Sequence, residues 1–149
     1  MRIGLLETVP VLREKLKSER ILYPFGGKLV VESVRYDARY DLILSDKKHF
    51  HHLPYRASVF LIPGNSDSFA VPNQGILLTG GMSHSDPVSF SSIRETEAML
   101  CVQQEICMNG RNIEPFEKKV AFNRNFSLYK NLATGFALSL AEILFTEEL

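Results

Sequence analysis

The chain has 149 residues, the length of one domain and enough sequence for one sizeable core. Hydrophobic residues make up 45% and charged residues 23%, an ordinary globular balance, and 17 basic side chains offset 17 acidic ones. A net charge of zero, with no basic run longer than Lys118-Lys119, excludes the electrostatic footprint of a nucleic-acid binder.

The apolar run at 3–6 reads as a first strand. Glu7 cuts that run short, so the segment does not read as a signal peptide. Pro10 suits the first turn of a helix over 10–18, with Val11, Leu12 and Leu16 as its inner stripe. Two β-rich runs, 21–25 and 29–34, are split by a Gly26-Gly27 turn. Residues 40–44, 58–62 and 75–79 are further short strands, the last two ended by Pro63-Gly64 and Gly80-Gly81. Short apolar runs that end in loop residues predict a largely parallel sheet.

Beyond Met82 the pattern changes. Residues 88–93, 99–106 and 113–122 predict three antiparallel strands whose side chains alternate between faces. Asn109-Gly110 is a strong hairpin signal, and Pro115 places its strand at an edge or a bulge. Cys101 and Cys107 form neither a disulfide framework nor a zinc-knuckle spacing, and read as buried reduced thiols. A helix closes the chain. Ser127 is its N-cap, and Leu128, Leu132, Phe136 and Leu140 recur every four residues, with Ala133, Ala137 and Ile143 beside them. Lys130, Asn131, Thr134 and Glu142 fall on its outer part, and the charges among them argue against a membrane span. The expected architecture is a single α/β domain over residues 1–149, cytoplasmic in type. It comprises a Rossmann-like, mostly parallel sheet, a three-stranded antiparallel meander and a closing C-terminal helix.

Four phrases occur in an informative order. They are Leu29-Val30-Val31-Glu32-Ser33; Tyr40-Asp41-Leu42-Ile43-Leu44-Ser45-Asp46 followed by His49 to His52; Val59-Phe60-Leu61-Ile62-Pro63-Gly64-Asn65-Ser66-Asp67; and the helix start with Asn125 and Asn131-Leu132-Ala133. In that order, over 29–144, the chain resembles the distal half of the Mur ligase central domain. Those enzymes use ATP to join amino acids to cell-wall precursors. The phrases Ser91-Ser92-Ile93 and Ile113-Glu114-Pro115 are also similar to bacterial proteins of unassigned function. The resemblance implies that Glu32 stands at a metal-binding Glu of the family and His51 at a metal-associated His. Together with Asp46 and His49 they form a candidate divalent-metal set, the alternative being a solvated polar loop. The family's Gly-Lys-Thr phosphate loop is missing. After the first strand stands Glu7-Thr8-Val9-Pro10, whose acid would repel phosphate, and Gly26-Gly27-Lys28 is only a fragment of such a loop. The flanking domains of those enzymes have no counterpart in these residues, so ATP-driven ligation is not expected.

Two other clusters are candidates for ligand binding. Gly80, Gly81, Ser83 and His84 follow a strand, at the carboxyl edge where open α/β sheets bind ligands; the alternative is a polar turn. His84 beside Ser83 and Ser85 has no evident orienting carboxylate, so hydrolysis is not expected. Arg124 and Asn131, with Asn123 and Asn125, flank the start of the last helix, where they could hold an anion or simply cap. Tyr36, Arg39, Tyr40, Tyr55 and Arg56 offer stacking groups or surface packing. The expected function is that of a non-catalytic Mur-ligase-like domain that binds a partner or a small ligand. Self-association through the meander edge or the last helix is expected, with no cofactor, no nucleic acid and no membrane. The alternative is a small metal- or nucleotide-dependent enzyme using Glu32, Asp46, His49, His51, Ser83 and His84.

Overall fold

A computed structural model describes residues 1–6, 29–46, 55–65 and 75–146. The helix expected over 10–18, the strand at 21–25, the Gly26-Gly27 turn, His49 and His51 lie outside the described residues.

The chain is α/β: its described residues form a mostly parallel, mixed sheet of eight strands and a C-terminal helix. Its strands are β1 (Arg2–Leu6), β2 (Val30–Ser33), β3 (Arg39–Ser45), β4 (Arg56–Pro63), β5 (Ile76–Gly80), β6 (Val88–Ile93), β7 (Glu97–Val102) and β10 (Phe116–Ala121). Their spatial order is β10-β7-β6-β5-β4-β3-β1-β2. Pairing is parallel from β2 through β1, β3, β4 and β5 to β6, and antiparallel from β6 to β7 to β10.

Burial explains why the two halves read differently in sequence. Strands β3 and β4 are buried almost continuously from Leu42 to Ser45 and from Val59 to Pro63, because parallel strands carry core on both faces. Leu42, Leu44, Val59 and Leu61 belong to one cluster, while Ile43, Phe60 and Ile62 belong to another. In β7 and β10 burial alternates residue by residue: Ala98, Leu100 and Val102 face the core and Glu117 and Lys119 face outward.

Two expected strands differ from those observed. The run 99–106 ends at Val102, because Gln104, where the alternation calls for a buried side chain, is exposed. The run 113–122 is split at Pro115, which has no N–H to give to a ladder. The Asn-Gly turn therefore closes a separate hairpin, β8 (Ile106–Met108) with β9 (Arg111–Ile113). Asn109 at φ 54° and Gly110 at φ 74° both take the left-handed conformation that a two-residue type I′ turn requires. Ile106, Met108 and Ile113 insert into the main core from this hairpin, whereas Cys107, expected to be buried, alternates outward and is exposed, and Cys101 is only partly buried.

The closing helix, α1 (Leu128–Thr146), packs across β5, β6, β7 and β10. Leu132, Ala133, Phe136, Ala137, Leu140 and Ala141 are fully buried. Asn131 and Thr134, expected on the outer part, are also buried, at 1% and 3% exposure. Both polar groups are satisfied locally: the Thr134 hydroxyl donates to the Lys130 carbonyl at 2.7 Å, and Asn131 bonds the preceding loop. No cation lies in the last turn; instead Arg111 of β9 donates to the Leu144 carbonyl at 3.1 Å, a favourable placement at the negative end of the helix. Among the described residues no helix is long and apolar enough to cross a membrane.

Candidate functional site

The carboxyl ends of β3, β4 and β5 lie side by side, and α1 begins against them. Between them opens a cleft of about 650 Å³, within the usual range for small-molecule sites. Asp46 comes from the end of β3, Pro63-Gly64-Asn65 from β4, Gly80 to Ser83 from β5, and Ser127 to Lys130 from the helix start. Asp86, from the loop before β6, completes the lining.

Two contacts seat the helix. Its N-cap is Ser127, as the sequence expects, whose hydroxyl accepts the Lys130 N–H at 3.1 Å. The Tyr129 hydroxyl lies 2.6 Å from the Ser45 carbonyl and 2.9 Å from that of Leu61, so one phenol ties the helix to β3 and β4. Burial, reinforced by the negative charge of Asp46, holds this phenol well above its ordinary value of 10. The group stays neutral and its contribution to stability is complete below pH 10. That contribution is lost as the pH rises from 10 toward the higher folded value, where the unfolded chain ionises first. Tyr129→Phe removes the donor and is expected to destabilise the fold by about 1–2 kcal/mol at neutral pH. Urea unfolding at neutral pH and above pH 10 checks both parts: the wild type should lose its advantage over the variant in alkali.

Asp86 is the other fixed point. It is 4% exposed; its Oδ2 accepts the Ser83 N–H at 3.0 Å, and its own N–H donates to the Ser83 carbonyl at 3.0 Å. The carboxylate fits only because two neighbours are glycines. A Cβ on Gly64 would come within 2.1 Å of Oδ1, and one on Gly81 within 2.5 Å of Oδ2. Gly80 is equally constrained, since a Cβ there would meet Leu132 at 2.5 Å. Among the described residues no cationic side chain pairs with Asp86.

The cleft thus has two electrostatic characters. The helix start brings the Leu128 and Tyr129 backbone N–H groups, which find no acceptor among the described residues, the positive end of the dipole and Lys130, with no acid in that turn. Asp46 and Asp86 bring acceptors and negative charge. The site can therefore take an anionic group at the helix and a hydroxyl or ammonium donor at the carboxylates.

The residues expected from sequence divide between this cleft and elsewhere. Gly80, Gly81, Ser83 and Asp46 line it. His84 is exposed outside the lining, and among the described residues it bonds neither Ser83 nor Ser85; the Ser83 hydroxyl lies 3.1 Å from that of Ser85 instead. Arg124 is exposed in the loop before the helix, and Asn131 is buried beneath it. Glu32, on the far strand β2, accepts from Arg2 Nε at 2.9 Å and from the Tyr40 hydroxyl at 3.1 Å. The Arg2 hydrogen bond, with help from Tyr40 and Arg35, holds this carboxyl below its usual value. Glu32 is thus engaged by arginine and separated from Asp46 by β1. No three His, Cys, Asp or Glu gather into a metal-sized group among the described residues.

Tyr36 and Tyr55 stack at 4.9 Å, and Arg39 pairs with Arg56 in register at the amino ends of β3 and β4, the opposite edge from the cleft. Lys130, Ser127 and Tyr129 escape a sequence reading of the site, and Asp86 closes the candidate loop 79–86 without a role assigned to it from sequence. A signal did exist for Lys130: it is the only charged residue in the first turn of a helix that carries no acid there. Comparison with protein-family models, curated proteins and solved structures finds no match to this chain.

Proposed function

We propose that this chain acts by binding, taking a small ligand with an anionic group into the cleft at the carboxyl edge of β3, β4 and β5. The observation that carries this reading is the meeting, in one cleft, of a helix start with Lys130 and a buried carboxylate, Asp86, that pairs with no cation among the described residues. We propose further that the scaffold is Rossmann-like and Mur-ligase-like, with β6, β7 and β10 as the antiparallel meander. The succession of parallel strands, antiparallel strands and closing helix supports that reading. The phosphate loop that ATP chemistry needs would fall among residues outside those described, where the sequence carries Glu7-Thr8-Val9-Pro10.

The placement of Asp46 and Asp86 in the same cleft favours one second reading, a metal- or nucleotide-dependent enzyme. Thermal unfolding with phosphomonoesters, small carboxylates, Mg-ATP and a UDP-sugar separates the two. A ligand at about a hundred times its Kd adds about 2.7 kcal/mol of stability. A magnesium-independent rise with a small anionic compound is expected. A rise that requires Mg-ATP would favour the enzyme, and no rise with any compound would overturn the binding reading.

A further inference from the structure

Among the described residues strand β10 ends the sheet, with β7 as its one sheet neighbour. Its outer main-chain groups form no hydrogen bond among the described residues. Natural sheets protect such an edge with charge, a bulge or a cover, or use it to pair. Here Pro115 precedes the strand and the register with β7 is unbroken from Phe116 to Ala121.

The side chains along this edge are self-complementary. Consider a second copy of β10 running antiparallel, with the two-fold axis at Lys118. Phe116 then lies opposite Val120 of the other copy, and Glu117 opposite Lys119 of the other copy. Phe116 and Val120 are the half-buried residues packed on the main core, so the apolar pair continues that core across the join. Glu117 and Lys119 stand on the outer face, where opposite charges across a strand pair stabilise it. The one like-charged juxtaposition, Lys118 with its copy, is relieved because Lys118 is already ion-paired to Glu142 of α1. Other registers lack this match. A shift of one residue sets core-facing side chains against outward-facing ones. A shift of the axis to Lys119 sets Lys118 against Val120, and a shift to Glu117 sets Phe116 against Lys118.

We propose that β10 joins two copies of this chain edge to edge, centred on Lys118, into one continuous sheet. The contact is isologous, each copy giving the same strip. A strip this short falls below the area of stable obligate dimers, so association is reversible and concentration-dependent.

A charge-swap experiment tests the pairing with the whole chain. Glu117→Lys sets Lys against Lys at both outer pairs, and Lys119→Glu sets Glu against Glu. Lys119 also meets Glu97 at 3.3 Å within its own chain, an exposed contact whose loss leaves folding intact. By sedimentation equilibrium over a series reaching the millimolar range, the wild type is expected to form dimers and each variant to remain monomeric. An equimolar mixture of the two variants regains opposite charges at both pairs and is expected to form a heterodimer. Thermal unfolding of each variant confirms that it is folded. A monomeric wild type, single variants that still dimerise, or folded variants that fail to associate when mixed would each overturn the proposal.

Discussion

Gly75→Ala is expected to lower the stability of the domain by about 3 kcal/mol or more, the largest single effect among the substitutions considered. Two causes add at this position. Gly75 holds φ +88°, a conformation that residues with a Cβ adopt only under strain. A Cβ there would also lie 2.1 Å from the Ala57 carbonyl oxygen and 2.7 Å from that of Ser58. Those atoms belong to the backbone of β4, which pairs with both β3 and β5 and cannot yield without loosening the ladders that carry the cleft. Gly110→Ala is the matched control. Gly110 has φ +74° but nothing within 4 Å of an added Cβ, so only the conformational part remains, about 1 kcal/mol. Urea unfolding of both variants measures the difference. Equal losses would mean that the crowding at Ala57 is relieved by a small backbone movement.

Asn131→Ala is expected to destabilise by about 2–4 kcal/mol, because it removes at once several hydrogen bonds that one buried amide makes to the backbone of the loop before α1. Its Oδ1 accepts the Asn123 N–H at 2.8 Å, while Nδ2 donates to the Asn123 carbonyl at 2.8 Å and the Ser127 carbonyl at 3.0 Å, with that of Phe126 at 3.3 Å. One amide thus fixes the loop that delivers the N-cap and the first turn of α1 to the cleft. Leucine would fill the volume but give the Asn123 N–H no acceptor in place of Oδ1, so Asn131→Leu should recover little. Arg124→Ala, in the same loop but exposed, should change stability by less than about 0.5 kcal/mol. A small effect at Asn131 with a large one at Arg124 would reverse this assignment.

Much of the sheet was legible in the sequence because burial leaves a direct trace in composition. Continuous apolar runs such as Leu42-Ile43-Leu44 and Val59 to Ile62 are what a strand covered on both faces requires, and both are strands. Alternation within the expected runs 99–106 and 113–122 marked the half with one open face, although the strands themselves are Glu97–Val102 and Phe116–Ala121. The turn at Asn109-Gly110 was readable from its chemistry, but not the strands that it joins: the hairpin is a side excursion into the core, a tertiary fact that local patterning does not hold.

The helix was misread on one side for a physical reason. A four-residue repeat of large apolar side chains identifies the stripe that faces the sheet, and polar residues off that stripe are then assigned to solvent. Asn131 and Thr134 violate the assumption because each satisfies its own hydrogen bonds inside the structure. The small residues Ala133, Gly135, Ala137 and Ala141 around the helix were the available sign of close enclosure. Lys130, placed on the same outer part, is a cleft residue because the helix start, not its side, faces the strand ends. The carboxyl edge itself was readable from Gly80-Gly81 after a strand. The role of Asp86 was not, since it depends on two glycines from different loops closing around one carboxylate.

The most direct measurement is titration calorimetry of inorganic phosphate, as a minimal anion, into the wild type and Lys130→Glu. Lys130 is the third residue of α1 after the Ser127 cap, so glutamate there completes a Ser-x-x-Glu capping box and places an acid at the positive end of the helix. The variant should fold with a Tm equal to or above that of the wild type, yet repel an anion from the cleft. Saturable binding by the wild type that disappears in Lys130→Glu, with stability preserved, is the predicted result. Absence of binding by the wild type, or equal binding by both proteins, would contradict an anion site at the start of α1.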